Sequence, residues 1–422
     1  MSPPESPGTP ARRAALRLLD AVLRKGLPLE SALDAATREL DRADDRAFAH
    51  AIAAEALRRL TDLDALIDSA TRQRLPDDSK ARFALRIALV QALSMGTPPH
   101  AAISTVLPLV EGGPRKLVHG VFGTLIRGRA ALPEVPSLPA FIAERWTRRW
   151  GAEAAQAAAR LIARPPPLDL VFAPGTAPPP GMEGTRLLPD HLRLPAGSQV
   201  TGLPGFGQGG WWVQDVSASI PARLLGPGAG RTALDLCAAP GGKTMQLAAA
   251  GFQVTAVDAS QSRLARLSDN LARTGLTADI VVADMLKWSP PAPVDAILLD
   301  APCSATGIFR RHPDVLHRAR PKAIAALAEA QAAMLARAAG WLKPGGVLVY
   351  SVCSLEPEEG EDVADRFVAG DVAPDPVLEG ELPGEIQIAD GRVRILPGIF
   401  EAEGGADGFF VARFKRNPSK LE

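Results

Sequence analysis

Cysteine is scarce in this chain, and neither sign of charge is in excess. The 422 residues include 3 cysteines, and 47 Lys and Arg residues balance 47 Asp and Glu residues. An odd and sparse set of cysteines argues against a disulfide-stabilised scaffold and favours a reducing compartment. Proteins that bind nucleic acids typically have more basic than acidic residues, and this chain has no such surplus.

Long uncharged apolar runs are missing as well. The best candidate, residues 323–342, contains Glu329 and Arg337, which indicates an amphipathic helix and not a membrane span. Residues 1–10 are rich in proline and serine and contain no apolar run, so they predict a disordered tail and not a signal peptide. We therefore expect a cytoplasmic protein that does not bind membranes.

The sequence has no pattern that is typical of a metal site. It contains no Cys-x-x-Cys, and its six histidines show no zinc-ligand spacing relative to the cysteines. We expect a protein without bound metal, and a monomer.

The distribution of apolar residues divides the first half of the chain into two parts. Residues 11–132 repeat apolar side chains at helical spacing without strand-like alternation, which predicts an all-α domain. Residues 133–210 combine a helical pattern over 140–163 with proline runs and two short apolar segments, 168–172 and 191–194. For this part we expect a linker helix and a small irregular subdomain.

Residues 211–417 form a third part, in which short apolar runs alternate with helical segments. The apolar runs are 232–237, 254–257, 280–282, 296–299 and 346–351. Such alternation predicts a doubly wound α/β domain with a parallel sheet and helices on both faces. The glycine-bounded segments between 386 and 415 would add antiparallel strands at one edge of that sheet.

A glycine-containing turn follows the first of these strands. Residues 237–243 read Cys-Ala-Ala-Pro-Gly-Gly-Lys and lead into a helix near Met245. Gly241 and Gly242 allow the backbone to approach a ligand closely, and the helix N-terminus offers free N–H groups. The loop matches neither GxGxxG nor a P-loop, so a turn that only packs the helix remains an alternative.

Four acids stand at or after the ends of successive strands: Asp235, Asp258, Asp284 and Asp300. The carboxyl ends of parallel strands form the edge at which open α/β sheets bind ligands. An adenosine-containing cofactor such as S-adenosylmethionine fits this set, with Asp258 at the ribose, Asp284 near the adenine and the glycine loop at the methionine part. Each acid alone could equally cap the helix that follows it.

Two cysteines follow the fourth and fifth strands, Cys303 and Cys353. A thiolate can add to carbon 6 of cytosine, which turns carbon 5 from a poor nucleophile into one that attacks a methyl donor. Asp300 is placed to stabilise the adduct near the ring nitrogen N3. A base then removes the proton on carbon 5 and the thiol leaves. Either cysteine alone is more often a small buried hydrophobe.

At these residues the chain resembles the RsmB/Nop/Sun family of RNA cytosine-C5 methyltransferases. The matching motifs are DLCAAPGGKT at 235–244, DAPCSATG at 300–307, CS at 353–354 before EPEE at 356–359, WVQD at 212–215 and DGFF at 407–410. Residues 11–132 resemble a NusB-type helical RNA-binding domain, as in bacterial enzymes that methylate 16S rRNA. The resemblance implies a Rossmann-like catalytic domain with a mostly parallel seven-stranded sheet.

The resemblance also implies a role for each site residue. Cys353 would be the nucleophile, Cys303 would release the product, Asp300 would face the target base, and Lys243 would position the reacting groups. The cofactor would contact Cys237, Ala238, Ala239, Pro240, Gly241, Gly242, Lys243, Asp258, Asp284 and Asp300. Val352 stands where the family usually has threonine before the nucleophile.

The implied reaction is methyl transfer from S-adenosylmethionine to carbon 5 of a cytosine in 16S rRNA, either free or in an assembling small subunit. Arg310 and Arg311 would hold RNA phosphates, although a basic run is usually only a solvated face. Two alternatives stay open: the same chemistry on tRNA, and a non-catalytic ribosome-assembly factor. The intact cysteines favour an enzyme, and the NusB-like domain favours rRNA.

The zero net charge conceals a separation of charge along the chain. Residues 1–150 contain 22 basic and 17 acidic residues, whereas residues 151–422 contain 25 and 30. The overall balance therefore does not oppose RNA binding.

Overall fold

The structure is a computed structural model that describes residues 7–418. The helices are α1 (Thr9–Leu23), α2 (Leu29–Thr37), α3 (Ala43–Arg58), α4 (Leu60–Ser69), α5 (Lys80–Leu93), α6 (Pro99–Val106), α7 (Gly112–Arg127), α8 (Ala140–Trp150), α9 (Ala152–Ile162), α10 (Ile220–Arg223), α11 (Gly242–Ala249), α12 (Gln261–Thr274), α13 (Val315–Arg318), α14 (Pro321–Ala339) and α15 (Glu361–Arg366). The strands are β1 (Leu168–Phe172), β2 (His191–Leu194), β3 (Trp211–Val213), β4 (Thr232–Leu236), β5 (Gln253–Asp258), β6 (Asp279–Val282), β7 (Val294–Asp300), β8 (Leu342–Val352), β9 (Val372–Pro374), β10 (Ile388–Ala389), β11 (Arg392–Ile395) and β12 (Phe409–Arg416).

The described chain divides into two compact units. The helical unit combines residues 7–164 with Phe309–Ala319, and the sheet unit combines Pro165–Ile308 with residues 320–418. Within residues 7–418, no helix is both long and apolar enough to cross a lipid bilayer.

Helix α5 is the centre of the helical unit, because all of its residues from Ala81 to Gln91 are buried. Its N-terminus is capped by Ser79, whose side chain accepts a hydrogen bond from the backbone N–H of Arg82 at 3.3 Å. The buried guanidinium of Arg86 donates two hydrogen bonds of 2.8 Å to Asp64 on α4. This ion pair offsets the cost of burying the guanidinium of Arg86.

The structure corrects the expected boundaries of the helical part. Helix α1 already begins at Thr9, so Thr9 and Pro10 are helical and do not belong to a tail; residues 1–6 lie outside the described part of the chain. Helices α8 and α9 belong to the helical unit, so the expected subdomain 133–210 is divided between the two units. The remainder contributes β1 and β2, which form a small antiparallel sheet with β3 in the order β2-β1-β3.

The large sheet has the strand order β10-β11-β12-β8-β7-β4-β5-β6, with β9 paired to β12. The five strands from β8 to β6 are parallel, and the strands beyond β8 are antiparallel, as predicted. Within residues 7–418 this sheet has nine strands and not the expected seven. The difference matches the two shortest strands, β9 and β10, which have 3 and 2 residues and lie at the antiparallel end.

Helices cover both faces of this sheet because the strands alternate apolar side chains between two cores. Leu234 packs in one core with Leu335 of α14, while Ala233 packs in the other core with Leu247 of α11. Strands β8, β7, β4 and β5 are neighbours and run in the same direction. Their carboxyl ends therefore lie side by side along one stretch of the sheet, which we call the carboxyl edge.

Candidate active site

Most of the site residues predicted from the sequence meet at the carboxyl edge. Asp258 and Asp300 are the last residues of β5 and β7, Asp235 is the penultimate residue of β4, and Cys353 directly follows β8. Asp284 follows the outermost strand, β6; its side chain is 43% exposed, and its Oδ1 accepts the backbone N–H of Leu286 at 3.0 Å. The strand order thus brings together residues that are up to 118 positions apart in the sequence.

The loop 237–243 owes its conformation to glycine and to Asp258. Gly241 has φ of +104°, and a Cβ atom at this position would lie 2.8 Å from Cγ of Leu267, so a larger residue would clash. Asp258 accepts the backbone N–H of Ala239 at 3.2 Å. Helix α11 begins at Gly242, which directs its free N–H groups toward the carboxyl edge.

Acidic side chains accumulate around this loop. Asp235 is 1% exposed, and burial raises the pKa of its carboxyl group to about 7. Its Oδ2 accepts the hydroxyl of Thr244 at 2.5 Å, while its Oδ1 has no hydrogen-bond partner among the described residues. Burial, together with Asp300 and Asp258, raises the pKa of Cys237 to about 12. Cys237 is therefore a neutral thiol in a field that favours a positively charged ligand.

Lys243 supplies positive charge to the same edge. Its Nζ donates a hydrogen bond to Oδ2 of Asp300 at 2.8 Å and lies 5.2 Å from the centre of the Phe409 ring. Burial disfavours the positive charge of Lys243, but the nearby Asp300 and Cys353 have the larger combined effect, so the pKa of Lys243 is raised. The second oxygen of Asp300, Oδ1, accepts the hydroxyl of Ser351 at 2.9 Å. Lys243 therefore stays protonated between the acid and the sulfur.

The two cysteines predicted to carry the chemistry touch each other. The Sγ atoms of Cys303 and Cys353 are 3.4 Å apart, and both side chains are half-buried. The pKa of Cys303 is raised well above its usual value because the thiol is hydrogen-bonded to Cys353 and buried. Cys303 is therefore a neutral thiol whose sulfur is in contact with that of Cys353.

Val352, the departure from the family pattern, lies on the face of β8 opposite to Cys353, in the core against which Cys303 packs. Its side chain is fully buried and packs in the same core as Leu348 and Tyr350, whereas Val349 and Cys353 belong to the opposite core. A hydroxyl at position 352 would lie on the face that Cys353 does not use.

The segment predicted to hold phosphates lies in the helical unit. Arg310 is 1% exposed, and its backbone oxygen accepts a hydrogen bond of 2.7 Å from Arg58. A buried guanidinium does not support a phosphate contact at Arg310. Arg311 is half-buried, and its contact with RNA remains a prediction.

Sequence reasoning missed several side chains that complete the site. Thr244 binds Asp235, and Ser351 binds Asp300. The ring of Phe409 lies beside Lys243. Glu359 binds Ser304 and Ser354, the residues that follow the two cysteines. A usable signal was present: a serine directly follows each of the two cysteines. Among the residues that the structure describes, no group of three or more His, Cys, Asp or Glu side chains could hold a metal ion.

Comparison with known proteins identifies relatives of both parts of the chain. A family model described as 16S rRNA methyltransferase RsmB/F matches residues 222–415, and the NusB family model matches residues 9–121. Ribosomal RNA small subunit methyltransferase B of Klebsiella pneumoniae subsp. pneumoniae is 34% identical, with 95% of this chain and 97% of the relative covered. The protein of the same name from Xylella fastidiosa (strain Temecula1) is 35% identical, with 98% and 100% covered.

A solved structure supports the same relationship. The crystal structure of a methyltransferase homolog protein from Pyrococcus horikoshii matches with a TM-score of 0.55 at 27% identity, covering 70% of this chain and 98% of that chain. With identity above 30% over nearly the full length of both curated relatives, the chain belongs to the RsmB/F methyltransferase family.

Proposed function

We propose that this protein transfers a methyl group from S-adenosylmethionine to carbon 5 of a cytosine in small-subunit ribosomal RNA, with Cys353 as a covalent nucleophile. The observation that carries the proposal is the 3.4 Å contact between the sulfurs of Cys303 and Cys353, beside the Lys243–Asp300 pair. The names of the curated relatives support ribosomal RNA as the substrate, and the match of residues 9–121 to the NusB family is consistent with it.

The carboxyl edge has the chemistry that S-adenosylmethionine requires. Asp258 and Asp284 could accept hydrogen bonds from the ribose and the adenine, and loop 237–243 could face the methionine part. Asp235 offers a buried oxygen without a hydrogen-bond partner among the described residues, and the surrounding acids suit a sulfonium cation. When bound, the cofactor supplies an electrophilic methyl group.

In the first step, the thiolate of Cys353 would attack carbon 6 of the cytosine. Cys303 starts as a neutral thiol, and Lys243 stabilises the negative charge on Cys353. Addition moves the electrons of the 5,6 double bond into the ring, and N3 takes up the proton that Cys303 gives up. Held near Asp300, this proton stabilises the resulting enamine. Carbon 5 then has the electron density to take the methyl group.

In the second step, Cys303, which becomes a thiolate when it gives its own proton to N3 during the addition, would remove the proton from carbon 5. The electrons of that C–H bond re-form the 5,6 double bond and expel the sulfur of Cys353 as a thiolate. A thiolate whose conjugate acid has a high pKa is a strong base, and Cys303 lies next to the departing sulfur. The N3 proton then leaves to solvent, so the cycle ends with Cys353 as a thiolate and Cys303 as a thiol, as it began.

The test is methyl transfer from labelled S-adenosylmethionine to unmodified small-subunit rRNA, naked or in particles, with tRNA as a parallel substrate. We expect incorporation into rRNA, at a cytosine that bisulfite treatment identifies as 5-methylcytosine. Cys353→Ala should reduce transfer by about 10³-fold or more. Wild-type transfer by Cys353→Ala would contradict the nucleophile, preferential labelling of tRNA would contradict the substrate, and absence of transfer to any RNA would favour a non-catalytic assembly factor.

A further inference from the structure

The serine after each catalytic cysteine binds the same buried carboxylate. Ser304 donates its backbone N–H to Oε1 of Glu359 at 2.7 Å and its hydroxyl to Oε2 at 2.5 Å. Ser354 donates its hydroxyl to the same Oε2 at 2.5 Å. We call Ser304, Ser354 and Glu359 the serine–glutamate clasp. It connects the loop after β7 to the loop after β8 through one side chain.

Glu359 is itself held in place from two other elements. Gln331 on α14 donates to Oε1 at 3.3 Å and also to the backbone oxygen of Pro302 at 2.9 Å. The hydroxyl of Tyr350 on β8 donates to the backbone oxygen of Glu359 at 2.5 Å. The carboxylate thus has a fixed position relative to both strands that carry the cysteines.

Two further hydrogen bonds also join the two loops. The backbone N–H of Gly307 donates to the oxygen of Cys353 at 3.1 Å, and the hydroxyl of Thr306 accepts the N–H of Leu355 at 3.0 Å. These bonds align the loops, while the clasp joins them at the residues directly beside the sulfurs.

Glu359 binds three side chains at a buried position, which requires two accepting oxygens that a neutral glutamine does not have. Glu359 is fully buried, and its side-chain hydrogen-bond donors, Ser304, Ser354 and Gln331, are all neutral. Burial raises the pKa of its carboxyl group, although these hydrogen bonds oppose the shift. A buried acid is expensive to maintain for packing alone, whereas its two oxygens can accept several donors at once.

We propose that Glu359 is a positioning residue that sets the distance between the sulfurs of Cys303 and Cys353 by binding the serine that follows each of them. Its catalytic consequence rests on the proposed function, but the distance between the sulfurs can be measured without RNA. A displacement of 1 Å between reacting groups can slow a reaction by about 100-fold, so loosening the clasp should slow the chemical step.

The direct test uses phenylarsine oxide, which binds two thiols only when they are close together. Its arsenic(III) forms one bond to each sulfur, and the oxide oxygen leaves as water with the two thiol protons, so no oxidation occurs. We expect Glu359→Gln and the double variant Ser304→Ala/Ser354→Ala to bind the reagent at least about 10-fold more weakly than the wild type. The exposed Glu379→Gln should bind it as the wild type does, and Cys303→Ser should not form the chelate.

Methylation kinetics provide the second readout. For both clasp variants we expect kcat to fall about 10- to 100-fold, while KM for the RNA changes by less than about twofold, since the clasp acts on the chemical step. If Glu359→Gln does not fold, the double serine variant, which keeps the buried acid, decides the question.

Two negative results have different meanings. Wild-type binding of phenylarsine oxide by folded clasp variants would overturn the positioning role, whatever happens to methylation. Weakened binding by the variants, combined with a wild-type protein that methylates no RNA, would support the positioning role and reject the proposed function.

Discussion

The two ends of strand β7 carry the same ion pair in different surroundings. At its amino end, Asp295 accepts a hydrogen bond from Nζ of Lys343 at 2.9 Å. At its carboxyl end, Asp300 accepts one from Nζ of Lys243 at 2.8 Å. The lysines differ in exposure, with 43% for Lys343 against 11% for Lys243, whereas the two acids are similar at 27% and 29%.

The surroundings give the two acids different tasks. Burial opposes the charge of Asp295, but hydrogen bonds from Lys343 and Thr232 lower its pKa to about 2. At the carboxyl edge, burial, with a smaller contribution from Asp300 and Asp258, raises the pKa of Asp235 to about 7. The negative charge of Asp295 at the amino end therefore stabilises the fold, whereas a negative charge on Asp235 at the carboxyl edge destabilises it. Strongly perturbed groups of this kind are typical of functional sites.

The largest expected effect is on the pH dependence of stability at Asp235. Its folded-state pKa of about 7 lies above the usual value of 3.8. Between about pH 4 and pH 7 the folded protein keeps a proton that the unfolded chain has released, so the free energy of unfolding falls as the pH rises. Asp235→Asn, which can still accept the hydroxyl of Thr244, should equal the wild type at pH 4 and be more stable at pH 8 by roughly 4 kcal/mol.

Thermal unfolding followed by circular dichroism from pH 4 to pH 8 measures this difference. A gap between Asp235→Asn and the wild type that stays constant over this range would show that the carboxyl group is not protonated in the folded protein.

The next effect is on activity and contrasts the two lysines. Lys243→Met removes the cation beside Asp300 and Cys353, and we expect kcat for methyl transfer to fall about 100-fold. Lys343→Met removes an equivalent pair at the other end of the strand and should leave kcat within about twofold of the wild type. Equal losses in the two variants would contradict a specific role for Lys243.

A smaller effect on stability distinguishes Thr244, which binds Asp235, from Thr232, which binds Asp295. Thr244→Val removes the 2.5 Å hydrogen bond to the buried Asp235 and should destabilise the protein by about 2 kcal/mol at pH 8. Thr232→Val removes a 2.8 Å hydrogen bond to Asp295, whose side chain is 27% exposed, and should cost about 0.5 kcal/mol. Urea unfolding measures the free energy of unfolding of both variants. A larger loss for Thr232→Val than for Thr244→Val would contradict the prediction.

The smallest effect has the opposite pH dependence from that of Asp235. Because the folded pKa of Asp295 is lowered, its contribution is present above about pH 4 and is lost as the pH falls toward 2. Asp295→Asn should be about 1 kcal/mol less stable than the wild type at pH 7, a value reduced for solvent screening. The gap should close as the pH falls from about 5 to about 2; a gap that widens would exclude the ion pair as its cause.

Much of the sheet and the site could be predicted because the relevant signals are local. Alternating apolar runs indicated β4 to β8 in order, and the strand-end positions of Asp258, Asp300 and Cys353 indicated a shared edge. In a parallel sheet, the last residues of neighbouring strands lie at the same edge, so a residue that ends a strand is expected at that edge. The two shortest strands, β9 and β10, have too few residues to form a recognisable pattern.

Features that depend on contacts between distant segments could not be predicted. Glu359 binds Ser304 across 55 positions of sequence, and no local pattern distinguishes it from neighbouring acids. The segment Phe309–Ala319 looks like a basic surface run, yet its Arg310 is buried in the helical unit. In both cases tertiary packing determines the environment of the side chain, and composition does not reveal it.

The central claim is that Cys353 forms the covalent bond and Cys303 resolves it, and trapping of the intermediate tests it most directly. Cys303→Ala, incubated with unmodified small-subunit rRNA and S-adenosylmethionine, should accumulate a protein–RNA complex that survives denaturation. The double variant Cys303→Ala/Cys353→Ala should form none. A stable complex in the double variant, or its appearance in Cys353→Ala alone, would contradict the assignment of the two sulfurs.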